Sequence, residues 1–247
     1  MSPDSYSERS LFYRHPLPLD AATHAGLSLK TDAGFGFARQ TNAVPLAVSE
    51  LSLAARHYPI VFAGSPNLAP HAILGLRADE NLFVDADGTW VEGCYIPAYV
   101  RRYPFIFLEL KQQKKFALCI DMESDLLVQS EENLLFQEGK PSQETRAALE
   151  LCTAFQGHYT STREFSTAIE EAHVLEEYSA NVELKTGAKM TLGPFQVVNE
   201  NKFNALSDQV FLEWRAKGWL APVYFHLAAF HNWAGLVDLA GGANENA

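Results

Sequence analysis

The stretch YPFIFLELKQQKKFALCID, residues 103–121, indicates most directly how this chain folds. Residues 105–110 and 116–120 are two apolar runs of strand length, rich in aromatic and branched side chains. The basic, polar segment 111–115 lies between them and has the character of a connection. The sequence therefore predicts an antiparallel strand pair here.

A second stretch of the same kind lies earlier in the chain. HYPIVF at 57–62 and RYPFIF at 102–107 each place a Tyr-Pro pair before an apolar run that ends in Phe. Helices are predicted over 47–56 and 98–102, because a proline stops a helix at the residue before it. We interpret the two stretches as one supersecondary unit used twice, since two copies are too few for a repeat protein. Either Tyr-Pro peptide bond is open to cis or trans geometry.

Turn residues organise the segment between these two units. Strands are predicted over 72–77 and 82–85, and Asp85-Ala86-Asp87-Gly88 supplies the turn of a hairpin that returns through 89–91. The same four residues resemble the start of a calcium loop, but the full set of oxygen ligands and the terminal Glu are missing. A hairpin is therefore the better interpretation.

The second half of the chain predicts mainly helices. Ser142 is expected to cap a helix that ends near residue 159, and Ser161 with Glu164 fits the capping box of another helix. The remaining predictions are an end of that second helix near 177, a hairpin over 182–192, a strand over 195–198, an amphipathic helix over 201–217 that ends at Gly218, and a buried helix over 222–239. The predicted fold class is α+β, with a β-rich N-terminal half of antiparallel hairpins and a largely helical C-terminal half in a single compact domain.

The length and charge of the chain limit the number of domains and the classes of partner that we expect. The 247 residues predict an irregular N-terminal arm over 1–30, one α+β domain over 31–240 and a tail over 241–247. A formal net charge of −11 repels phosphate backbones, so nucleic acid is not an expected partner. The apolar run 223–230 is far shorter than the ~20 residues that cross a bilayer, so no membrane span is expected.

The N-terminus and the cysteines predict the compartment. Residues 1–14 lack the basic segment and apolar run of a secretory signal. Cys94, Cys119 and Cys152 form no CxxC pair and lie among apolar neighbours, which is typical of buried reduced thiols. We therefore expect a soluble, cytoplasmic protein.

Several segments, read in order, resemble the bacterial SapC family. They are HYPIVFAG (57–64), LGLRADENLFVDADGTW (74–90), YIPAYVRRYPF (95–105), LCID (118–121), FQVVNENKF (195–203), GWL (218–220) and FHLAAFHNW (225–233). The resemblance covers about residues 45–235 and implies an accessory role in a bacterial surface layer or an outer-membrane uptake system. It names no chemistry. The peptide-transport permease that shares the SapC name is a different, membrane-spanning protein that this sequence does not fit.

Two clusters of charged residues are candidate ligand-binding sites. Arg101, Arg102 and Tyr103 lie on or after a short predicted helix, where adjacent guanidinium groups could hold a carboxylate or phosphate. The alternative is that one arginine pairs with an acidic neighbour while the other is solvated. Asp121 and Glu123 at a strand end could act as an acid–base pair or bind a divalent cation. A solvated acidic strand end is the alternative there.

Three functions remain open at the level of sequence. The first is a binding or accessory protein whose partner is another protein or a second copy, with the aromatic residues Trp219 and Trp233 as candidate contacts. The second is an enzyme of unrecognised class that holds a small anionic substrate on Arg101 or Arg102 and uses Asp121 as the base. The third is a self-assembling surface protein. No catalytic, metal-binding or cofactor motif is present, so neither a metal nor a cofactor is expected.

Overall fold

An antiparallel sheet of five strands forms the centre of the structure, and both halves of the chain contribute to it. The computed structural model describes residues 11–30, 34–64, 67–110, 115–184, 187 and 189–243. The strands are β1 (Pro16–Pro18), β2 (Leu27–Leu29), β3 (Ala43–Pro45), β4 (Ile60–Ala63), β5 (Ala69–Ile73), β6 (Phe105–Leu110), β7 (Lys115–Asp121), β8 (Leu127–Gln129), β9 (Phe136–Gln137), β10 (Lys140–Pro141), β11 (Leu175–Glu183) and β12 (Lys189–Val198). The α-helices are α1 (Leu51–Ala54), α2 (Ala98–Arg101), α3 (Gln143–Glu171), α4 (Glu200–Asn204), α5 (Asp208–Lys217), α6 (Leu220–Ala229) and α7 (Asn232–Ala243).

The sheets confirm the predicted α+β class. The five-stranded sheet has the order β11-β12-β4-β5-β3, and its neighbouring strands are antiparallel. β12 joins β4 where Gln196 pairs with Phe62, so the hairpin of the second half extends a sheet begun in the first half. A second sheet has the order β1-β7-β6, and β2 pairs with β8 and β9 with β10. The long helices follow residue 142.

The strand pair predicted from residues 103–121 is confirmed. β6 and β7 are antiparallel, with Phe105 opposite Ile120, while residues 111–114 of the connection lie outside the described residues. The peptide bond before Pro104 is cis, and the bond before Pro59 is not. β4 confirms the strand predicted after the first Tyr-Pro pair.

The hairpin predicted around residues 85–88 also forms. The Asp85 N–H donates to the Thr89 carbonyl at 3.0 Å, and Oδ1 of Asp85 accepts from the N–H groups of Asp87 and Thr89 at 2.9 and 2.8 Å. This carboxylate is used as a turn acceptor, as the hairpin interpretation requires. The flanking strand predicted over 82–85 reduces to one β-bridge between Val84 and Trp90.

The prediction of two helices after Ser142 is wrong, because α3 is one continuous helix of 29 residues. Ser142 caps it as predicted, since its hydroxyl accepts from the Thr145 N–H at 3.2 Å. The capping box at residues 161–164 does not form, because Thr162 lies inside the helix and its hydroxyl donates to the His158 carbonyl at 2.7 Å. The helix ends before His173, which has a φ of 53°, and β11 begins where helix was predicted.

Three other elements of the second half differ in extent from their predictions. The predicted hairpin and third strand are one long hairpin, β11–β12, with a bulge in β12 where Gly193 and Pro194 lie opposite Ser179, and Pro194 has no N–H to give to a ladder. The predicted helix over 201–217 is split into α4 and α5, because the Ser207 hydroxyl caps α5 by accepting from the Val210 N–H at 3.4 Å. Gly218 ends α5 at a φ of 74°, as predicted. The last predicted helix is divided into α6 and α7.

The N-terminal arm contributes strands of its own. β1 adds to the edge of β7 with Pro16 opposite Asp121, and β2 pairs with β8. The arm was expected to be irregular, and its short strands form because partners far along the chain supply the hydrogen bonds.

Helix α3 packs against both larger sheets. Its first half places Cys152 in a cluster with Phe105 and Ile120 of the three-stranded sheet. Its second half places Phe165 in a cluster with Phe62 of the five-stranded sheet and with residues of α4–α6. The two sheets therefore pack against different parts of the same helix.

The cysteines are free thiols. Cys119 and Cys152 are buried, and burial raises the pKa of each to about 11. Cys94 is only partly buried, and burial raises its pKa as well. The prediction of burial is confirmed for two of the three, and the redox state stays a prediction.

Candidate functional site

Asp121 ties the N-terminal arm to the three-stranded sheet. Its side chain has 0% exposure, and its carboxylate accepts from the N–H groups of His15 and Arg14 at 2.7 and 3.2 Å. The Tyr103 hydroxyl donates to the same carboxylate at 3.1 Å. Burial is the main cause that raises the pKa of Tyr103 to about 12, and the neighbouring charge of Asp121 raises it further. The hydroxyl therefore keeps its proton. Asp121 and Tyr103 are therefore brought together, as a buried tether.

Glu123 does not join this carboxylate on a common surface. Its side chain is exposed, whereas Asp121 is buried, and the link between them is a 3.4 Å hydrogen bond from the Glu123 N–H. The two acidic residues at the end of β7 thus occupy different environments. Their arrangement is not that of a paired acid and base.

Arg102 lies in an aromatic cage between α2, α3 and the N-terminal arm. Its guanidinium carbon is 4.2 Å from the ring centre of Phe155 and 4.4 Å from that of Tyr99. The Tyr13 ring closes the cage at 5.8 Å, and the Tyr13 hydroxyl donates to the Phe105 carbonyl at 2.7 Å. These contacts are cation–π interactions that hold three segments together. Burial raises the pKa of Tyr13 above its ordinary value, and the charge of Arg102 opposes that rise.

Arg101 takes part in a separate polar chain. Its Nε donates to the Ile96 carbonyl at 3.0 Å, and its Nη2 donates to the Tyr95 hydroxyl at 3.3 Å. The Tyr95 hydroxyl in turn donates to Oε1 of Glu50 at 2.7 Å. The two adjacent arginines therefore lie in different environments, Arg102 among aromatic rings and Arg101 among polar groups.

The polar chain lines a cavity of about 310 Å³ between α1, α2 and α3. Arg101, Tyr95 and Glu50 form one side of the cavity. The opposite side is formed by Leu151, Phe155 and other α3 residues, with His158 among them. Of the residues predicted for ligand binding, Arg101 is the one that lines this cavity.

The two tryptophans predicted as partner contacts are both partly buried. Trp219 packs against Phe165 and Trp214, each at 6.3 Å between ring centres, beside an open groove of about 710 Å³ between α3 and α5. Trp233 stacks on Phe195 at 5.8 Å. Both rings therefore contribute chiefly to packing within the chain.

A family comparison identifies the chain. The SapC family model matches residues 19–236, which is most of the sequence. The chain belongs to the SapC family. No curated protein and no solved structure matches it. Among the described residues of this SapC chain, no helix is both long and apolar enough to cross a bilayer, and no group of three or more His, Cys, Asp and Glu residues could hold a metal ion.

Helix α6 of this SapC chain carries two exposed aromatic residues. Tyr224 is 50% exposed and Phe225 is 37% exposed, and Ala221 and Ala228 beside them are exposed as well. We call these four residues the α6 outer face. Sequence reasoning missed this face, although a signal was available: residues 220–229 contain no Asp, Glu, Lys or Arg.

Proposed function

We propose that this SapC chain is a binding protein that acts as an accessory to another protein, and that the α6 outer face is its docking surface. The observation that carries this proposal is that α6 is apolar on both sides. Val223 and Ala229 face the core with 0% exposure, while the α6 outer face is open to solvent. A helix that is apolar all round is normally buried, which indicates that something covers the outer side.

The spacing of the α6 outer face favours contact with a partner. Residues 221, 224, 225 and 228 fall at positions i, i+3, i+4 and i+7, so they lie along one side of the helix. Two aromatic rings of this region are held by contacts within the chain: Tyr224 on the face packs against Phe203 at 5.5 Å between ring centres, and Phe230 directly after α6 packs against Tyr178 at 5.3 Å. Rigid, partly exposed aromatic residues are the type that dominates the binding energy of interfaces.

Charge favours a different protein over a second copy as the occupant. The net charge of −11 makes two copies repel one another, whereas a partner with basic residues around an apolar surface is attracted. The resemblance to SapC proteins supports placing the partner in a surface-layer or outer-membrane uptake system. A cytoplasmic location belongs to the same proposal.

Site-specific photo-crosslinking in the host cell tests the docking surface. A benzophenone amino acid is placed at position 224, and at position 116 as the control, because Phe116 is also exposed, at 53%, but lies on β7. We expect position 224 to yield one heavier adduct whose second component is a surface-layer or uptake protein by mass spectrometry. Position 116 should not yield that adduct.

Other outcomes contradict the proposal. An adduct between two copies of the chain supports self-assembly instead. Equal adducts from positions 224 and 116, or none from position 224, remove the α6 outer face as the docking surface.

A further inference from the structure

The guanidinium group of Arg101 lines the cavity between α1, α2 and α3 together with the carboxylate of Glu50, which accepts three hydrogen bonds from within the chain. Glu50 is 6% exposed, and its Oε2 accepts from the Ala47 N–H at 2.8 Å. Its Oε1 accepts from the Ala98 N–H and the Tyr95 hydroxyl, both at 2.7 Å. These donors stabilise the negative charge of Glu50 from within the protein. The guanidinium of Arg101 is linked to Glu50 through the Tyr95 hydroxyl and not by a direct ion pair.

Tyr95 fixes the position of Arg101 relative to the cavity. Burial, followed by the charge of Glu50, raises the pKa of Tyr95 to about 12, so its hydroxyl donates to Glu50 and accepts from Nη2 of Arg101. An arginine side chain has five N–H donors, and Ile96 and Tyr95 take two of those of Arg101. Within the described residues Arg101 forms no salt bridge, which leaves N–H groups free for an anion.

Most of the remaining cavity wall is apolar, with Ser49 and His158 as its other polar residues. Leu53, Leu151, Ala154 and Phe155 line it opposite the polar chain. Its volume of about 310 Å³ is at the lower end of the roughly 300–1,000 Å³ of small-molecule sites. The space therefore suits a small molecule with a short apolar tail and one polar end.

We infer that this cavity binds a small monocarboxylate with an apolar tail. The carboxylate contacts the Arg101 guanidinium, whose planar donors match two carboxylate oxygens. The tail packs against Leu53, Leu151 and Phe155. This site is separate from the α6 outer face and does not depend on the proposed docking function.

Titration of the purified protein with 3-phenylpropionate, followed by nuclear magnetic resonance of the backbone amides, tests the site. We expect saturable shifts of amides around residues 151–158, and binding weaker by roughly tenfold or more for the neutral analogue 3-phenylpropanamide. Arg101→Gln should weaken binding of the carboxylate by a similar factor. Arg215→Gln is the matched control, because Arg215 is an exposed arginine on α5.

A second variant tests the apolar part of the cavity while Arg101 is kept. Ala154→Phe fills the space for the tail and should abolish the shifts, and circular dichroism checks that each variant is folded. The inference is overturned if the wild-type chain shows no saturable shifts, if the amide binds as tightly as the carboxylate, or if folded Arg101→Gln binds as the wild type does. Because the experiment uses the isolated chain, its failure leaves the docking proposal untouched.

Discussion

Mild acid should destabilise this protein through one buried histidine. His226 on α6 is 3% exposed, and its Nε2 accepts from the Val198 N–H at 3.0 Å. Its ring lies 5.0 Å from that of Phe62, in the cluster between the five-stranded sheet and the helices. Burial lowers the pKa of His226 from 6.5 to about 4. The folded state therefore keeps the imidazole neutral at pH values at which the unfolded chain binds a proton.

The sign and size of the effect follow from this pKa difference. Between pH 6.5 and about 4 the unfolded state binds more protons, so the free energy of unfolding falls as the pH falls. At about 1.4 kcal/mol per pKa unit, lowering the pH from 7 to 5 removes about 2 kcal/mol. Burial also lowers the pKa of His71, which adds a loss of the same sign.

Urea unfolding at pH 7 and pH 5 isolates the contribution of His226. In His226→Gln the amide oxygen can accept from the Val198 N–H, and the side chain does not titrate. We expect the wild type to lose about 2 kcal/mol more than this variant between the two pH values. His231→Gln, at an exposed position between α6 and α7, should behave as the wild type. Equal losses for the wild type and His226→Gln would refute the reasoning.

Substitutions at three further positions test contacts that hold the fold. Asp121→Ala should lower the free energy of unfolding by about 3 kcal/mol, because it removes a buried carboxylate that accepts from the N–H groups of Arg14 and His15 and from the Tyr103 hydroxyl, and Asp121→Asn should lower it by less. Ser142→Ala should cost about 1 kcal/mol through loss of the cap of α3. Gly218→Ala should cost about 1 kcal/mol, because its φ of 74° disfavours a side chain. Urea unfolding at pH 7 measures all of them, and an Asp121→Ala variant as stable as the wild type contradicts the tether.

Local signals in the sequence predicted the elements whose stability is local. The pair β6–β7 and the hairpin around Asp85 are made by residues close in sequence, and their apolar runs and turn residues were sufficient. Ser142 and Gly218 marked helix ends correctly, because capping depends on immediate neighbours.

Long-range contacts explain the predictions that were wrong. The capping-box pattern at residues 161–164 did not start a new helix, because α3 continues through it and packs on both sides of this point, through Cys152 against the three-stranded sheet and through Phe165 against the five-stranded sheet. β12 pairs with β4 through Gln196 and Phe62, which lie far apart in the chain, so no local sequence pattern could predict this pairing. The strand β1 forms for the same reason, since its partner β7 lies far along the chain.

The candidate site also combines residues that local sequence indicates with residues that only long-range contacts bring together. Sequence reasoning selected Arg101 as an anion-binding residue, but its cavity is completed by Glu50 and Phe155, which come from elsewhere in the chain. Arg102 and Asp121 were selected on residue type alone, and their burial depends on the N-terminal arm. Their roles in holding the arm could not be predicted without that contact.

The measurement that tests the central claim most directly is the affinity of the chain for the partner identified by crosslinking at position 224. Isothermal titration calorimetry would compare the wild type with Phe225→Asp and with the control Phe116→Asp, since both side chains are exposed, at 37% and 53%. Docking through the α6 outer face predicts that Phe225→Asp weakens binding by roughly tenfold or more, and that Phe116→Asp leaves it unchanged. Wild-type affinity for Phe225→Asp, or equal losses for both variants, would contradict the claim.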